Sequence, residues 1–355
     1  MKMKKKFLIT GGCGFIGSSL IRSLLNDKKN FVINIDKISY ASNKNSIENV
    51  NKDNYLLIED DINNVKMLAN ILAKHQPNFI IHLAAESHVD RSIDNPENFI
   101  NSNILGTYNI LQNSLNFWRK LDSQEKKLFR FIYVSTDEVY GSESNRNIFF
   151  SENSPISPNS PYAASKASGD ILARSWFKTY NFPVITTNSS NNYGIWQFPE
   201  KLIPLVIRKC LSEENIPVYG DGKQIRDWIN VDDNVRAILA LVRQGKLGEK
   251  YNIGASNELT NIYIVKKICS TLDDLLPRKI GKYEELIKYV DDRPAHDFRY
   301  ALNIDKILEE TDWKPTIDFS DGIVETVKWY LAKRDWLFEG TKQSYDGKRM
   351  GIIDK

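Results

Sequence analysis

Over the first 140 residues, short apolar runs alternate with segments of helical period. Phe7–Thr10, Phe31–Ile35, Tyr55–Ile58, Phe79–Leu83 and Phe131–Val134 are nearly continuous in apolar residues, and each is predicted as a strand. After the first of them, Ile16, Leu20, Ile21 and Leu24 recur at helical spacing. Helices are also predicted through Leu68–Leu72 and over Ile100–Leu115. Strands of this texture between amphipathic helices imply an α/β chain: a Rossmann-like, doubly wound parallel sheet covered on both faces.

Further along, Ser151–Pro161 is rich in Ser, Pro and Asn and reads as a loop. A helix follows over Tyr162–Tyr180 and a strand over Val184–Thr187. From Asn191 to Arg226, aromatics, prolines and glycines interrupt the pattern, as expected of a smaller lobe that shapes a site. A helix over Asp232–Gln244 and a strand at Tyr251–Ile253 return to the main sheet. Asp291–Tyr300 and a helix over Ile323–Ala332 then complete the lobe. This predicts a main unit of residues 1–190, rejoined by 227–254, and a smaller C-terminal lobe of 191–226 and 255–355.

The chain has 355 residues, 41% hydrophobic and 26% charged, which disfavours disorder and coiled coil. A net charge of +3 gives no argument for a nucleic-acid partner. Cys13, Cys210 and Cys269 are far apart in sequence with no CxxC pair, which disfavours a disulfide framework or zinc cluster and fits a reducing compartment. The basic Met1–Lys6 is followed by only three apolar residues, too few for a secretory segment. No apolar run approaches the ~20 residues needed to span a bilayer. A cytoplasmic protein without a membrane or metal is expected.

Gly11, Gly14 and Gly17 form a GxxGxxG turn between the first strand and the first helix. Glycine permits the tight turn and lets backbone N–H groups approach a pyrophosphate at a helix N-terminus. A ligand-free glycine turn is the competing reading, but the strand-turn-helix context favours a dinucleotide. Asp36 closes the second strand 19 residues after Gly17. A carboxylate there can accept both adenosine ribose hydroxyls and repels a 2′-phosphate, which predicts NAD over NADP; a plain strand-end turn residue is the alternative. Lys37 beside it works against that preference. Asp61-Ile62 follows the third strand and is placed to hold an adenine edge.

Tyr162 and Lys166 are four apart on a helix and share a face. An ammonium nearby favours phenolate, making Tyr162 a candidate base for an alcohol oxidised by hydride transfer. A surface Tyr/Lys pair is the bland alternative. Ser135-Thr136-Asp137-Glu138 directly follows the fifth strand, at the carboxyl end where open α/β sheets place ligands. Thr136 is positioned to hydrogen-bond a reacting oxygen. Two adjacent carboxyls suit an elimination, one as acid and one as base, and equally suit the start of a helix. His82 and His88 read as hydrogen-bonded wall or core groups. No GxSxG or HExxH motif supports a hydrolase.

Together these stretches resemble the dTDP-glucose 4,6-dehydratases of bacterial deoxysugar synthesis, within the extended short-chain dehydrogenase/reductase superfamily. The resemblance is carried by Thr10–Ser18, His82–Ile93 (HLAAESHVDRSI), Val134–Gly141 (VSTDEVYG) and Pro161–Asp170 (PYAASKASGD). It continues through Ser190–Pro204, Gln224–Trp228, Tyr251–Gly254 and Asp292–Tyr300 (DRPAHDFRY). It implies a redox-neutral lyase cycle on dTDP-glucose with NAD. Tyr162, held by Lys166, takes the 4-hydroxyl proton while NAD+ accepts hydride from C4. Glu138 then removes the C5 proton, Asp137 protonates the leaving 6-hydroxyl, and hydride returns to C6. Asp137 must start protonated, above the ordinary ~3.9 of Asp.

The resemblance further implies an NAD-binding main unit and a nucleotide-sugar-binding lobe. Around NAD it places Gly11, Gly14, Phe15, Ile16, Gly17, Asp36, Lys37 and Ser39. It adds Asp61, Ile62, Leu83, Ala84, Ala85, Ser87, Ser102, Tyr162, Lys166 and Asn192. Around the substrate it places Ser87, Thr136, Asn191, Glu200, Lys201, Leu202 and Pro217, then Tyr219, Arg226, Asn261, Arg293, His296 and Tyr300. Arg226 and Arg293 make chemical sense as guanidinium partners of a diphosphate. Ile195-Trp196 stands where the family usually has Pro-Tyr, in a stretch expected to line the nucleotide-sugar pocket. The Ile100–Leu115 helix and the helix from Tyr162 are expected to form a homodimer contact, with intramolecular packing as the alternative. An epimerase or decarboxylase on the same fold would not need Asp137-Glu138, and a silent NAD sensor would not need Tyr162 and Lys166.

Overall fold

The computed structural model describes residues 4–48, 50–338 and 350–351; the parts of the expected lobe at 339–349 and 352–355 lie outside the described residues. The chain begins β1 (Lys5–Thr10), α1 (Phe15–Leu25), β2 (Asn30–Asp36), β3 (Tyr55–Glu59), α2 (Val65–His75) and β4 (Phe79–His82). Short helices α3 (Val89–Asp94) and α4 (Pro96–Phe99) pass through a π-helical turn, Ile100–Leu105, into α5 (Gly106–Lys120) and α6 (Ser123–Leu128). β5 (Arg130–Thr136) runs into one 3-10 turn, Asp137–Tyr140, before α7 (Pro161–Tyr180) and β6 (Val184–Ser189). There follow β7 (Asn191–Tyr193), α8 (Leu202–Leu211), β8 (Ile216–Tyr219), β9 (Ile225–Asn230), α9 (Val231–Gln244) and β10 (Lys250–Ile253). The last elements are β11 (Glu258–Thr260), α10 (Asn261–Leu275), β12 (Ile287–Val290), α11 (Asp305–Glu310), α12 (Phe319–Ala332) and α13 (Arg334–Phe338).

Seven strands form one sheet in the order β10-β6-β5-β4-β1-β2-β3, with every pairing parallel. The chain builds outward from β1 in one direction and from β4 in the other. The crevice at the carboxyl ends of these two strands is therefore the topological switch point, where such sheets bind ligands. Alternate strand residues feed two cores. Ile9, Ile81, Ile132 and Ile185 face α1, α9 and α11, while Leu8, Ile33, Ile80 and Phe131 face α2, α5 and α7. A third core joins α8, α10 and α12 through Ile207, Ile268 and Ile323.

Two expectations change. The helix at 100–115 is a π-helical turn followed by an α-helix reaching Lys120, so its facing pattern shifts at Gly106. Within 255–355, Leu302, Ile304, Ile307 and Trp313 pack into the sheet's own core instead of the third core, because α11 lies against β10. Cys210 and Cys269, 59 residues apart in sequence, meet inside the third core with their sulfurs 4.0 Å apart as free thiols. Among the described residues, no helix is long and apolar enough to cross a membrane.

Candidate active site

Gly11 turns the chain out of β1 with φ +73°, in the left-handed region that favours glycine. A Cβ there would stand 2.7 Å from the backbone nitrogen of Ala84. Gly14 caps α1 without any side chain, leaving the first N–H groups of the helix free to meet an anion. These atoms border a cavity of about 220 Å³ at the switch point. Its wall brings together every residue expected around NAD except Asn192, and adds Glu200 and Lys201 from the expected substrate set. Asn192 lies nearby on β7 with its side-chain oxygen buried and unpartnered. The open helix terminus and the close glycine cradle fit a dinucleotide pyrophosphate.

At the adenosine end the structure is more occupied than the sequence suggests. The Asp36 carboxylate accepts from the N–H groups of Cys13 and Ile38 and from the Ser42 hydroxyl, each at 2.8 Å. Three of its roughly four acceptor positions are taken, so it has room for one ribose hydroxyl rather than two. Lys37 is turned away from a free cationic role: its ammonium donates to Glu86 at 2.8 Å and to Ser102 at 3.0 Å. That removes the sequence-level objection to NAD.

The reacting groups sit where β5 meets α7. Ser160 caps α7 by accepting from the Ala163 N–H, Pro161 takes the first turn, and Tyr162 and Lys166 follow on the buried face. Lys166 donates to the Val134 carbonyl at 2.7 Å and lies 4.5 Å above the Tyr133 ring. Burial lowers its pKa to about 8, with Asp170 opposing the shift. The expected lowering of the Tyr162 phenol is outweighed among the protein's own groups. Burial first, then Glu138, raises the phenol, while the Thr136 hydroxyl pulls it down.

Thr136 caps the turn after β5 by accepting from the Glu138 N–H, and donates to Asp137 Oδ1 at 3.2 Å. Asp137 is 2% exposed, and its Oδ2 is buried without a partner. Burial, then the neighbouring Glu138, holds its pKa well above the usual carboxylate range. Glu138 is also raised by burial, but Arg293, Arg226 and Lys201 oppose the rise. Neighbouring carboxyls thus differ in environment, one favouring the acid and the other the carboxylate.

The expected substrate residues fall into linked groups. Arg293 pairs with Asp90 at 2.5 Å and keeps its Nε buried and unpartnered. Tyr219 donates to the other oxygen of Asp90 at 3.2 Å and meets His296 edge-on at 6.2 Å. His296 is bonded to Asp292, and burial lowers its pKa to about 4. Arg226 lies 4.3 Å over the Tyr300 ring while donating to the carbonyls of Ile225, Asp297 and Phe298. Much of its fork is therefore spent on holding the chain. Lys201 donates to the Ser87 carbonyl at 2.6 Å. Glu200 is already bound by Tyr40 at 2.9 Å and Arg91 at 2.7 Å, which makes it a strut more than a free acceptor. Asn191, Leu202, Pro217 and Asn261 stand on β7, α8, β8 and α10, outside the cavity wall.

Trp196 is not on the wall of the cavity that gathers the residues expected around NAD. It turns away in a left-handed conformation, φ +67°, and packs edge-on against Trp329 and Trp336 at 4.6 and 5.1 Å. Its neighbours Gln197 and Phe198 line the cavity instead. Sequence reasoning missed these two, along with Asp90, Arg91 and Tyr40. Asp90 and Arg91 lie inside the quoted HVDRSI stretch, which was the available signal. Tyr40 carries none. Among the described residues, no group of three His, Cys, Asp or Glu side chains is arranged to hold a metal ion.

The family model described as GDP-mannose 4,6 dehydratase matches residues 8–326. A dTDP-glucose 4,6-dehydratase of Escherichia coli is 47% identical over 98% of this chain and 100% of its own length. That of Haemophilus influenzae is 49% identical over 91% of this chain and 97% of its own. The crystal structure of DesIV, a dTDP-glucose 4,6-dehydratase from Streptomyces venezuelae solved with NAD and dTDP bound, superposes with a TM-score of 0.84. That structure is 38% identical and covers 93% of this chain and 98% of its own. Identity at this level over whole lengths agrees with the paired acids after β5, and the chain belongs to the dTDP-glucose 4,6-dehydratase family of the extended short-chain dehydrogenases/reductases.

Proposed function

We infer that this chain is an NAD-dependent lyase that dehydrates dTDP-glucose to dTDP-4-keto-6-deoxyglucose. The observation that carries the reading is Asp137: a buried, raised carboxyl with one unpartnered oxygen, next to a second carboxyl that three cations oppose raising. Simple hydride transfer has no use for such a pair, whereas elimination needs both an acid and a base.

When bound, NAD+ accepts hydride from C4 and supplies it back to C6, so no net oxidation results. The Gly11–Gly17 turn and the α1 N-terminus hold its pyrophosphate, Asp36 a ribose hydroxyl, and Asp61 and Ile62 the adenine edge. Tyr162 takes the 4-hydroxyl proton, with Lys166 stabilising the phenolate and Thr136 holding the same oxygen. The 4-ketone acidifies C5–H, and Glu138 removes that proton. Asp137 protonates the departing 6-hydroxyl, and water leaves. Glu138 then returns a proton at C5 as C6 is reduced.

Arg226, Arg293 and Tyr219 supply the nucleotide-diphosphate side. We also read the protein as a cytoplasmic homodimer. Ile100, Tyr108 and Ile171 are 51%, 43% and 57% exposed on adjoining helices, an apolar face that a second copy would cover. The deciding experiment incubates the purified chain with dTDP-glucose and catalytic NAD+. Mass loss of one water and the alkali-induced absorbance of a 4-keto sugar, without lasting NADH, are expected. An intact sugar, or epimerisation without water loss, would overturn the reading.

A further inference from the structure

Asp170 lies one helical turn beyond Lys166 on α7, and no step above uses it. It is 3% exposed. Its Oδ2 accepts from Asn188 Nδ2 at 2.9 Å, and the same nitrogen donates to the Thr136 carbonyl at 3.0 Å. Asn188 pairs in the sheet with Ser135 on β5 and with Asn252 on β10. One amide thus joins the helix carrying Tyr162 and Lys166 to the strand end carrying Thr136, Asp137 and Glu138. From β10, the Lys250 ammonium approaches Asp170 Oδ2 only to 3.8 Å. Lys166 is itself 4% exposed and is held by a carbonyl and an aromatic face. A buried cation of this kind requires a counter-charge.

We propose that Asp170 is a positioning residue for the dehydration: it supplies the buried counter-charge of Lys166 and, through Asn188, locks α7 to the acid-bearing strand end. The proposal rests on the reading of Tyr162 as base and Lys166 as its ammonium partner. The groups facing Asp170 are Lys166 and Tyr162 on its own helix, Tyr133 and Ser135 on β5, and Tyr140 in the turn after β5. Asn188 on β6 and Lys250 on β10 complete the set. Burial raises the Asp170 carboxyl, and Lys250, then Asn188, Ser135 and Lys166, bring it down. Its negative charge in turn raises the proton affinity of both Tyr162 and Lys166.

Asp170→Asn keeps an acceptor for Asn188 and removes only the charge. The kcat/KM–pH profile of the full-length variant with dTDP-glucose and NAD+ is the readout. Both limbs are expected to move to lower pH by about one unit, as for loss of a close negative charge, which holds the proton on the phenol and on the ammonium alike. At a fixed pH on the alkaline limb this is roughly a tenfold loss. Asp170→Glu is expected to restore the parental profile. Should the Asn variant fail to fold, Asp170→Ser, smaller and also neutral, repeats the test. An unmoved profile, whether at parental or uniformly lowered rate, would overturn the proposal. Tyr162→Phe separates the two readings. Turnover in that variant overturns the assignment of the base, whereas a dead Phe variant with an unmoved Asp170→Asn profile overturns this inference alone.

Discussion

Asp137→Asn tests the elimination step directly. The substitution preserves shape, so the Thr136 hydroxyl can still donate to the side-chain oxygen it now meets at 3.2 Å. What disappears is the transferable proton on a carboxyl with an unpartnered oxygen and a raised pKa. A positioned general acid contributes about 10²–10⁴-fold, or ~3–5 kcal/mol of barrier. Dehydration should therefore slow by that factor. Oxidation at C4 and proton removal by Glu138 do not depend on the lost proton. In deuterated water the variant should still place deuterium at C5 of recovered dTDP-glucose, measured by mass spectrometry, while water loss falls. Stability should move the other way. A carboxyl whose folded pKa is raised binds its proton more tightly folded than unfolded, so native stability falls as pH rises from about 4 toward the folded pKa. The Asn variant escapes that penalty and should melt at a higher temperature than the parent at neutral pH. Parental dehydration rates in the variant, or equal loss of C5 exchange and water elimination, would refute the division of roles.

Three further outcomes follow from the geometry. His82 is buried between Thr10 and Thr107, and burial, then Lys166, lowers its pKa from 6.5 to about 3. Its contribution to stability is complete above pH 6.5 and is lost on acidification toward 3, so His82→Gln should flatten the acid side of the Tm–pH curve; an unchanged slope contradicts this. Gly11→Ala forces a side chain into a left-handed position costing ~1–2 kcal/mol and against Ala84, and calorimetry should show NAD affinity weakened about tenfold or more. Parental affinity would show that the turn can shift. Light scattering should give about twice the 40.9 kDa chain mass for the parent and a single chain mass for Ile171→Glu, whereas a monomeric parent removes the helix-pair interface.

The sheet was readable because strands buried on both faces leave continuous apolar runs, which sit where β1, β2, β4 and β5 form, with a fifth run at the half-buried edge strand β3. The short strands β7, β8, β11 and β12 have three or four residues each, too few to display a period, and their pairings depend on the third core. The π-helical turn at Ile100–Leu105 was invisible because its residues suit an α-helix equally well. In the site, the residue types and spacings announced themselves: glycines, Asp137-Glu138, and Tyr162 four before Lys166. Partner choice did not. That Arg226 spends donors on carbonyls, that Glu200 is claimed by Arg91 and Tyr40, and that Trp196 joins an aromatic cluster depend on chain segments distant in sequence.

The strand order sets a timetable for the growing chain. β6 ends at Ser189, but the strand that covers its outer edge, β10, begins at Lys250. At ~5–20 residues per second, the roughly 60 intervening residues keep that edge bare for several seconds of synthesis. All six residues of β6 are buried in the finished protein, so the waiting edge is one suited to pairing with strangers. Much of the third core is made in the same interval, from segments that find their partners only after Asn261 has emerged. A nascent chain that stalls between these points would carry a nearly complete dinucleotide cleft and an open, sticky flank. Its productive folding depends on the last third of the polypeptide arriving on time.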